Sequence, residues 1–178
     1  APVKYAAMKS VPIEPPPPVF ELREGFESQP LGTPPSFAKV VVEGKGDGIS
    51  VSNEKALSGY ASLKLQDATG LAQTFDPYFF YQPHHTKGVT RVRFAVWLEE
   101  GANIHHEWRD GNLPYRAGPS LVMQNGSLQV AGRELAKLPA KTWIKFGIES
   151  GIGSQSTGSW KLTVTLPEGK LLEFTLPP

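Results

Sequence analysis

The residues best suited to chemistry are densest over Ile104-His105-His106-Glu107-Trp108-Arg109-Asp110, followed by Gly111, Tyr115 and Arg116. On a β-strand successive side chains alternate between faces. Ile104, His106 and Trp108 then share one side, and His105, Glu107 and Arg109 share the other. Ile104 and Trp108 favour the core for the first set. Should this strand neighbour Val89–Leu98, the polar side also carries Arg91, Arg93 and Trp97. Arginines offer fixed forked donors to carboxylates or sulfates, so an acidic polysaccharide would suit the three arginines, and aromatic rings stack on the apolar faces of sugars. The same side chains would serve equally as a solvated sheet face with cross-strand Arg–Glu pairs, worth only ~0.2–1 kcal/mol each. A one-residue slip reverses the faces. It would expose His106, Trp108 and Asp110 beside Tyr115.

Other constellations are weaker. The four histidines occur as two adjacent pairs, His84-His85 and His105-His106. Each pair offers one ligand per face, so one histidine from each with Glu107 or Asp110 could hold zinc or copper. Glycoside hydrolysis needs two carboxylates ~5–5.5 Å or ~6.5–9.5 Å apart. Glu107 and Asp110 lack a partner acid at the spacing expected for such a pair, and Glu99-Glu100 read as a turn. A lyase could use His105 or Tyr115 as base, with Arg109 neutralising a uronate carboxylate. Phe75-Asp76-Pro77-Tyr78-Phe79-Phe80-Tyr81-Gln82-Pro83 carries five aromatics; it reads as a loop that caps the sandwich or lines a ligand cleft, or as a core plug, with most of its rings in the core and Tyr78 or Tyr81 partly exposed. No serine-nucleophile, phosphate-loop or dinucleotide motif occurs.

The elements that position these residues read as strands. Glycine and proline number 18 and 17 of 178 residues, a content that suits short strands joined by turns. Eleven candidates follow one another: Phe20–Glu27, Ala38–Glu43, Ile49–Ser52, Ala61–Gln66, Val89–Leu98, Ile104–Arg109, Ser120–Met123, Leu128–Val130, Thr142–Glu149, Trp160–Leu166 and Leu171–Phe174. Val92, Phe94, Val96 and Leu98 alternate with Arg91, Arg93, Ala95 and Trp97, as in a half-buried antiparallel strand. Asn125-Gly126 and Pro167-Glu168-Gly169 mark hairpins. The expected fold is all-β, an antiparallel sandwich or jelly roll. Residues 1–19, with Pro12 and Pro15–Pro18, read as a polyproline tail, either a spacer to another module or an arm on the domain's own surface. Residues 20–178 read as one domain.

Composition narrows the partners. The net charge is +1 with the signs interspersed, so a nucleic-acid ligand is not expected. Cysteine is absent, which excludes disulfides, thiolate zinc sites and cysteine nucleophiles. No run approaches the ~18 apolar residues of a membrane span.

Phe26-Glu27-Ser28, then Leu31-Gly32-Thr33-Pro34-Pro35, then Ile49 through Leu65 with Ala56-Leu57-Ser58-Gly59-Tyr60-Ala61-Ser62-Leu63, resemble the opening of carbohydrate-binding jelly rolls. With the long central strands, residues 20–176 resemble the concanavalin A-like lectin/glucanase superfamily. The resemblance implies two sheets, a polysaccharide or oligosaccharide ligand, and a secreted, extracellular or periplasmic location. It also implies a structural calcium near the N-terminal acid and the last strand, here Glu27 and Glu173; calcium takes six to eight oxygens. The expectation is a monomeric, non-catalytic binding or accessory module of a larger secreted protein. Its candidate ligand residues are Arg91, Arg93, Trp97, His105, Glu107, Trp108, Arg109 and Tyr115. The alternatives are a small polysaccharide lyase or glycosidase, and a structural domain packed on a partner.

Overall fold

The computed structural model describes residues 19–178. The proline-rich run therefore lies outside the described residues. Twelve strands follow in order: β1 Lys39–Val41, β2 Gly48–Ser52, β3 Ser62–Gln66, β4 Tyr78–Phe80, β5 Gly88–Trp97, β6 Asn103–Arg109, β7 Ala117–Gln124, β8 Ser127–Val130, β9 Arg133–Lys137, β10 Trp143–Ile152, β11 Trp160–Thr165 and β12 Leu171–Leu176. Every pairing is antiparallel. Two four-stranded sheets have the orders β12-β11-β10-β5 and β6-β7-β8-β9, and two smaller sheets pair β1 with β4 and β2 with β3. Among the described residues no helix is long and apolar enough to cross a membrane.

The alternation that makes these segments strands also makes the core. Ile144, Phe146 and Ile148 of β10 and Trp160, Leu162 and Val164 of β11 are buried, in one cluster with Leu121 and Met123 of β7 and Leu128 of β8. The two larger sheets thus share one apolar interior, a sandwich-like arrangement. Burying each such side chain stabilises the fold by ~1.5–3 kcal/mol. Leu162 is wholly enclosed, so Leu162→Ala should cost about 2–5 kcal/mol.

Turn chemistry closes the hairpins. Asn125 and Gly126 have φ of 50° and 68°, the two left-handed residues of a type I′ turn between β7 and β8. Ala131 and Gly132, at 48° and 75°, do the same between β8 and β9. Pro119 enters β7 beyond its paired stretch with β8, which spans only Val122 to Gln124. Proline cannot donate to a ladder, and the β6–β7 register shifts by one residue between Glu107 and Arg109.

Three expectations change. Phe20–Glu27 is not a strand. It turns at Phe26, whose φ is 65° and whose amide donates to Glu24 Oε1 at 2.6 Å. The aromatic segment after Phe75 contributes a strand, β4, and none of its five rings is fully buried: Phe75 is 65% and Phe80 37% exposed. The segment Arg-Glu-Leu-Ala-Lys adds β9 at the end of its sheet.

Candidate functional site

The structure divides the expected ligand residues. β5 pairs only with β10, β6 pairs only with β7, and the two strands belong to different sheets. They are not neighbours in one sheet. They face each other: Phe94 of β5 and His106 of β6 meet with ring centroids 4.9 Å apart. With Val92, Phe94, Val96, Ile104 and Trp108 all packed on the core, the polar faces of β5 and β6 point away from one another. Arg91, Arg93 and Trp97 lie on one outer face, and His105, Glu107 and Arg109 on the opposite one. Trp108 is turned inward, so the reversed register is excluded. A single surface uniting all eight residues does not form.

On the β5 face Arg91 and Trp97 already have partners. Arg91 stands opposite Glu149 in register and donates to its Oε2 at 2.7 Å. That bond holds the Glu149 carboxyl below its usual range. Trp97 Nε1 donates to Glu99 at 2.9 Å, its ring meets Trp143 edge-on at 6.0 Å, and Lys55 Nζ sits 5.1 Å from its centroid. Arg93 runs its stem past Gly147.

The β6 face is different. Glu107 accepts from Arg109 Nε, the i, i+2 pair that a strand places on one side. Beyond it, the Arg109 guanidinium lies 4.1 Å from the centre of the half-exposed Tyr115 ring. Arg109 is pushed above its ordinary range first by the bond to Glu107, and Tyr115 and Tyr78 contribute to the field around it. Asp110 accepts from the Arg116 amide and side chain, each at 2.9 Å. Those bonds hold its carboxyl far below the normal range. His106 is the inward partner. Burial lowers it to about 4, with His105 adding repulsion, and its Nε2 accepts from Trp108 Nε1 at 3.1 Å.

The aromatic segment, expected to be mostly core, presents rings on both faces of β4. Tyr78 and Phe80 alternate onto one face of β4, with centroids 6.2 Å apart and planes 20° from parallel. Phe75 meets Tyr78 edge-on at 6.0 Å. Lys39, opposite Phe80 in register, holds Nζ 5.9 Å from its centroid. Phe79 and Tyr81 take the other face, where Tyr81 stacks on Phe20. The signal was present in the period-two spacing of Tyr78 and Phe80. Pro77 and Pro83 on either side made the segment read as a loop.

Beside Phe75 stand three carboxylates. Glu43 is lowered to about 2, first by Lys45 and then by the Ala72 and Gln73 amides. Asp47 accepts from the Glu43 and Lys45 amides. Asp76 is 8% exposed, and its Oδ1 has no hydrogen-bond partner among the described residues. Burial raises its pKa, and Glu43 and Asp47 raise it further.

The two expected calcium ligands have separate neighbours. Glu27 accepts from the Tyr60 and Ala61 amides at 3.1 Å, and the Tyr60 hydroxyl donates to its carbonyl at 2.8 Å. A Cβ on Gly59 would stand 2.3 Å from Glu27 Oε1, so the loop closes on this carboxylate only because residue 59 is glycine. Glu173 lines a shallow groove with Arg133 and Glu134. Among the described residues no group of three His, Cys, Asp or Glu side chains is arranged to hold a metal ion. His85, one of the histidines considered for zinc, bridges Thr90 and the Phe20 carbonyl at 3.0 and 3.1 Å.

No protein-family profile, curated protein or solved structure matches the chain. The functional reading therefore rests on the residues alone.

Proposed function

We propose that this chain is a non-catalytic carbohydrate-binding or accessory module with a concanavalin A-like jelly-roll sandwich, belonging to a larger secreted protein. The observation that carries the reading is the cluster of Phe75, Tyr78 and Phe80 on and just before β4, with Phe75 and Phe80 exposed and Tyr78 half-buried between them. Tyr78 and Phe80, near parallel on one strand face, offer adjacent stacking surfaces to a sugar chain, with Phe75 edge-on beside them. The Arg109–Tyr115 pair would supply directional donors. The stacking surface proposed here is on β4 rather than on the polar face of β5, and Arg109 and Tyr115, in contact with each other, remain candidates from the sequence reading.

A second reading, hydrolysis, draws on one observation. Asp76 is pushed up while Glu43 is pushed down to about 2, and carboxylates driven apart are the mark of an acid and its partner. Against it, Asp76 is enclosed, and Glu43 is held by Lys45 and two amides. Neither is free to meet a glycosidic oxygen.

The test is a polysaccharide gel-retention and calorimetry screen on wild type, Tyr78→Ala and Phe80→Ala, with assays for reducing ends and unsaturated uronates on the same samples. Retention that both variants lose while keeping their melting transition supports the binding module. New chain ends or unsaturated products would move the hydrolase or lyase reading ahead. Silence throughout would leave a structural domain that packs on a partner.

A further inference from the structure

We infer that the outer face of the β2–β3 pair is a second saccharide site, a trough that receives one neutral, hydroxyl-bearing sugar unit, with Ser50, Lys64 and Gln66 among its contacts. This rests on the glycan-binding reading for the class of ligand and uses none of the β4 rings. The trough has a volume of about 340 Å³, within the range of small-molecule sites. Its shape follows from the sequence of β2. Ile49 and Val51 are buried, at 5% and 1% exposure, so Gly48, Ser50 and Ser52 take the outward positions of the alternation. All three are small. The longer Lys64 and Gln66 of β3 stand opposite Ser50 and Gly48 in register and form one wall. On the other edge of β2 the Gly32 amide donates to the Val51 carbonyl and the Val51 amide to the Thr33 carbonyl, each at 2.8 Å. β2 is therefore the middle of three chain segments, the floor of a hollow walled on its second side by Leu31 and Gly32.

Neighbours hold the polar groups of the hollow in place. Lys64 Nζ donates to Glu54 Oε1 at 2.7 Å, and Gln66 Nε2 to the Gly46 carbonyl at 2.9 Å. The Asp47 carboxylate accepts from the Glu43 and Lys45 amides, and Ser52 Oγ from the Glu54 amide at 3.2 Å. Side chains already fixed lose less freedom when a ligand arrives. Three lining groups keep unused capacity: among the described residues the Ser50 hydroxyl and the Asn53 side-chain amide make no hydrogen bond, and Gln66 bonds only through Nε2, leaving Oε1 open. A serine hydroxyl donates and accepts, and a side-chain amide presents both capacities. Sugar hydroxyls need the same mixture.

The charges select a neutral unit. Lys64 is the one cation among the lining residues, and the Glu54 carboxylate takes its ammonium. Asp47 adds a second negative charge to the rim, so an anionic sugar would meet two carboxylates and a cation already paired. Leu31, 49% exposed, supplies an apolar wall for the aliphatic side of a pyranose. The hollow is a surface trough, suited to an end or a branch of a glycan whose remaining units stay in solvent.

The experiment titrates the intact protein with methyl β-glucoside, methyl β-galactoside and methyl β-glucuronide and follows backbone amide shifts by NMR. The variants are Ser50→Ala, Ser50→Leu and Tyr78→Ala, each checked by thermal melt. The expected result is a saturable shift of the Ser50, Asn53, Lys64 and Gln66 amides with a neutral glycoside, weaker with the glucuronide. Ser50→Ala should bind roughly three- to tenfold more weakly, the factor for one lost hydrogen bond. Ser50→Leu fills the floor and should abolish the shifts, while Tyr78→Ala should leave them unchanged. Absence of a saturable shift at these amides, tighter binding of the glucuronide, or equal affinity in Ser50→Ala would overturn the inference. Polymer retention that Tyr78→Ala still removes would then leave the glycan-binding reading intact. Glycoside binding without polymer retention would support the trough and remove the β4 rings as a site, and silence in both assays would remove both.

Discussion

Phe94 and His106 stack across the interior with centroids 4.9 Å apart and planes at 33°, and Phe94 stacks in turn on Phe146 at 5.3 Å. This contact defines the geometry of the candidate site. It places β5 and β6 in opposing sheets, so their outward residues cannot act together. It also gives a histidine a core position, where its Nε2 accepts a hydrogen bond from Trp108 Nε1.

The first prediction is a pH-dependent stability. The folded protein holds His106 near 4, whereas an unfolded chain protonates histidine near 6.5. Because the folded pKa is the lower one, unfolding takes up a proton below pH ~6.5. The stabilisation is present above that value and lost as pH falls through about 4. The loss amounts to about 3 kcal/mol at most. His106→Phe should be less stable at neutral pH, since Trp108 Nε1 loses its acceptor at a cost of about 1–3 kcal/mol. Its melting temperature should also vary less between neutral pH and the lower limit. Parallel pH profiles for the two proteins would refute the assignment.

The second prediction separates the two outer faces. Trp97 is engaged by Lys55, Glu99 and Trp143, and Arg91 by Glu149. Trp97→Ala should lower stability by about 1–2 kcal/mol through loss of the aromatic pair and the cation contact. Affinity for any retained polysaccharide should stay unchanged, and Arg91→Ala should be close to neutral in both measurements. A folded Trp97→Ala protein that no longer bound would return the site to the β5 face.

What the sequence disclosed and what it withheld have physical causes. The strands Val89–Leu98, Thr142–Glu149 and Trp160–Leu166 were legible because each buries one face, so apolar residues recur every second position. Asn125-Gly126 was legible because both residues tolerate positive φ. The expected inward position of Ile104 and Trp108 holds as well. The partner of β6 was not legible. Which strand lies beside another is settled by contacts distant in sequence, and Arg91 beside Glu107 was as consistent with local pattern as Arg91 beside Glu149. Trp108 entered the candidate set only through a register that the core excludes. The Phe75–Phe80 row was hidden by its prolines, and the buried Asp76 by having no partner that spacing could reveal.

The third prediction concerns Glu27. Its carboxylate accepts from two loop amides and fits against Gly59. Glu27→Ala should destabilise by about 1–3 kcal/mol, since the amides it served lose their acceptor. Gly59→Ala should destabilise too, because residue 59 has φ of 66° and no room for a Cβ beside Glu27. The drop in Glu27→Ala should be the same in calcium and in chelator. A wild-type melting temperature that rises with calcium, and does so only while Glu27 is present, would instead give Glu27 the metal-ligand role.

The fourth prediction uses the turn that spacing did not reveal. β8 and β9 pair Val130 with Arg133, so Ala131 and Gly132 alone make the connection, and Ala131 sits at φ 48°. Alanine is strained there, while asparagine populates this region more readily. Ala131→Asn should raise the unfolding free energy by about 0.5–1 kcal/mol, measured by urea denaturation, with an unchanged slope. Gly132→Ala should act in the opposite sense: its φ of 75° disfavours any Cβ although nothing stands within 4 Å of one. The pair distinguishes backbone conformation from packing. If Ala131→Asn proved neutral and Gly132→Ala harmless, the two-residue turn would not be the element that fixes β9 at the edge of its sheet.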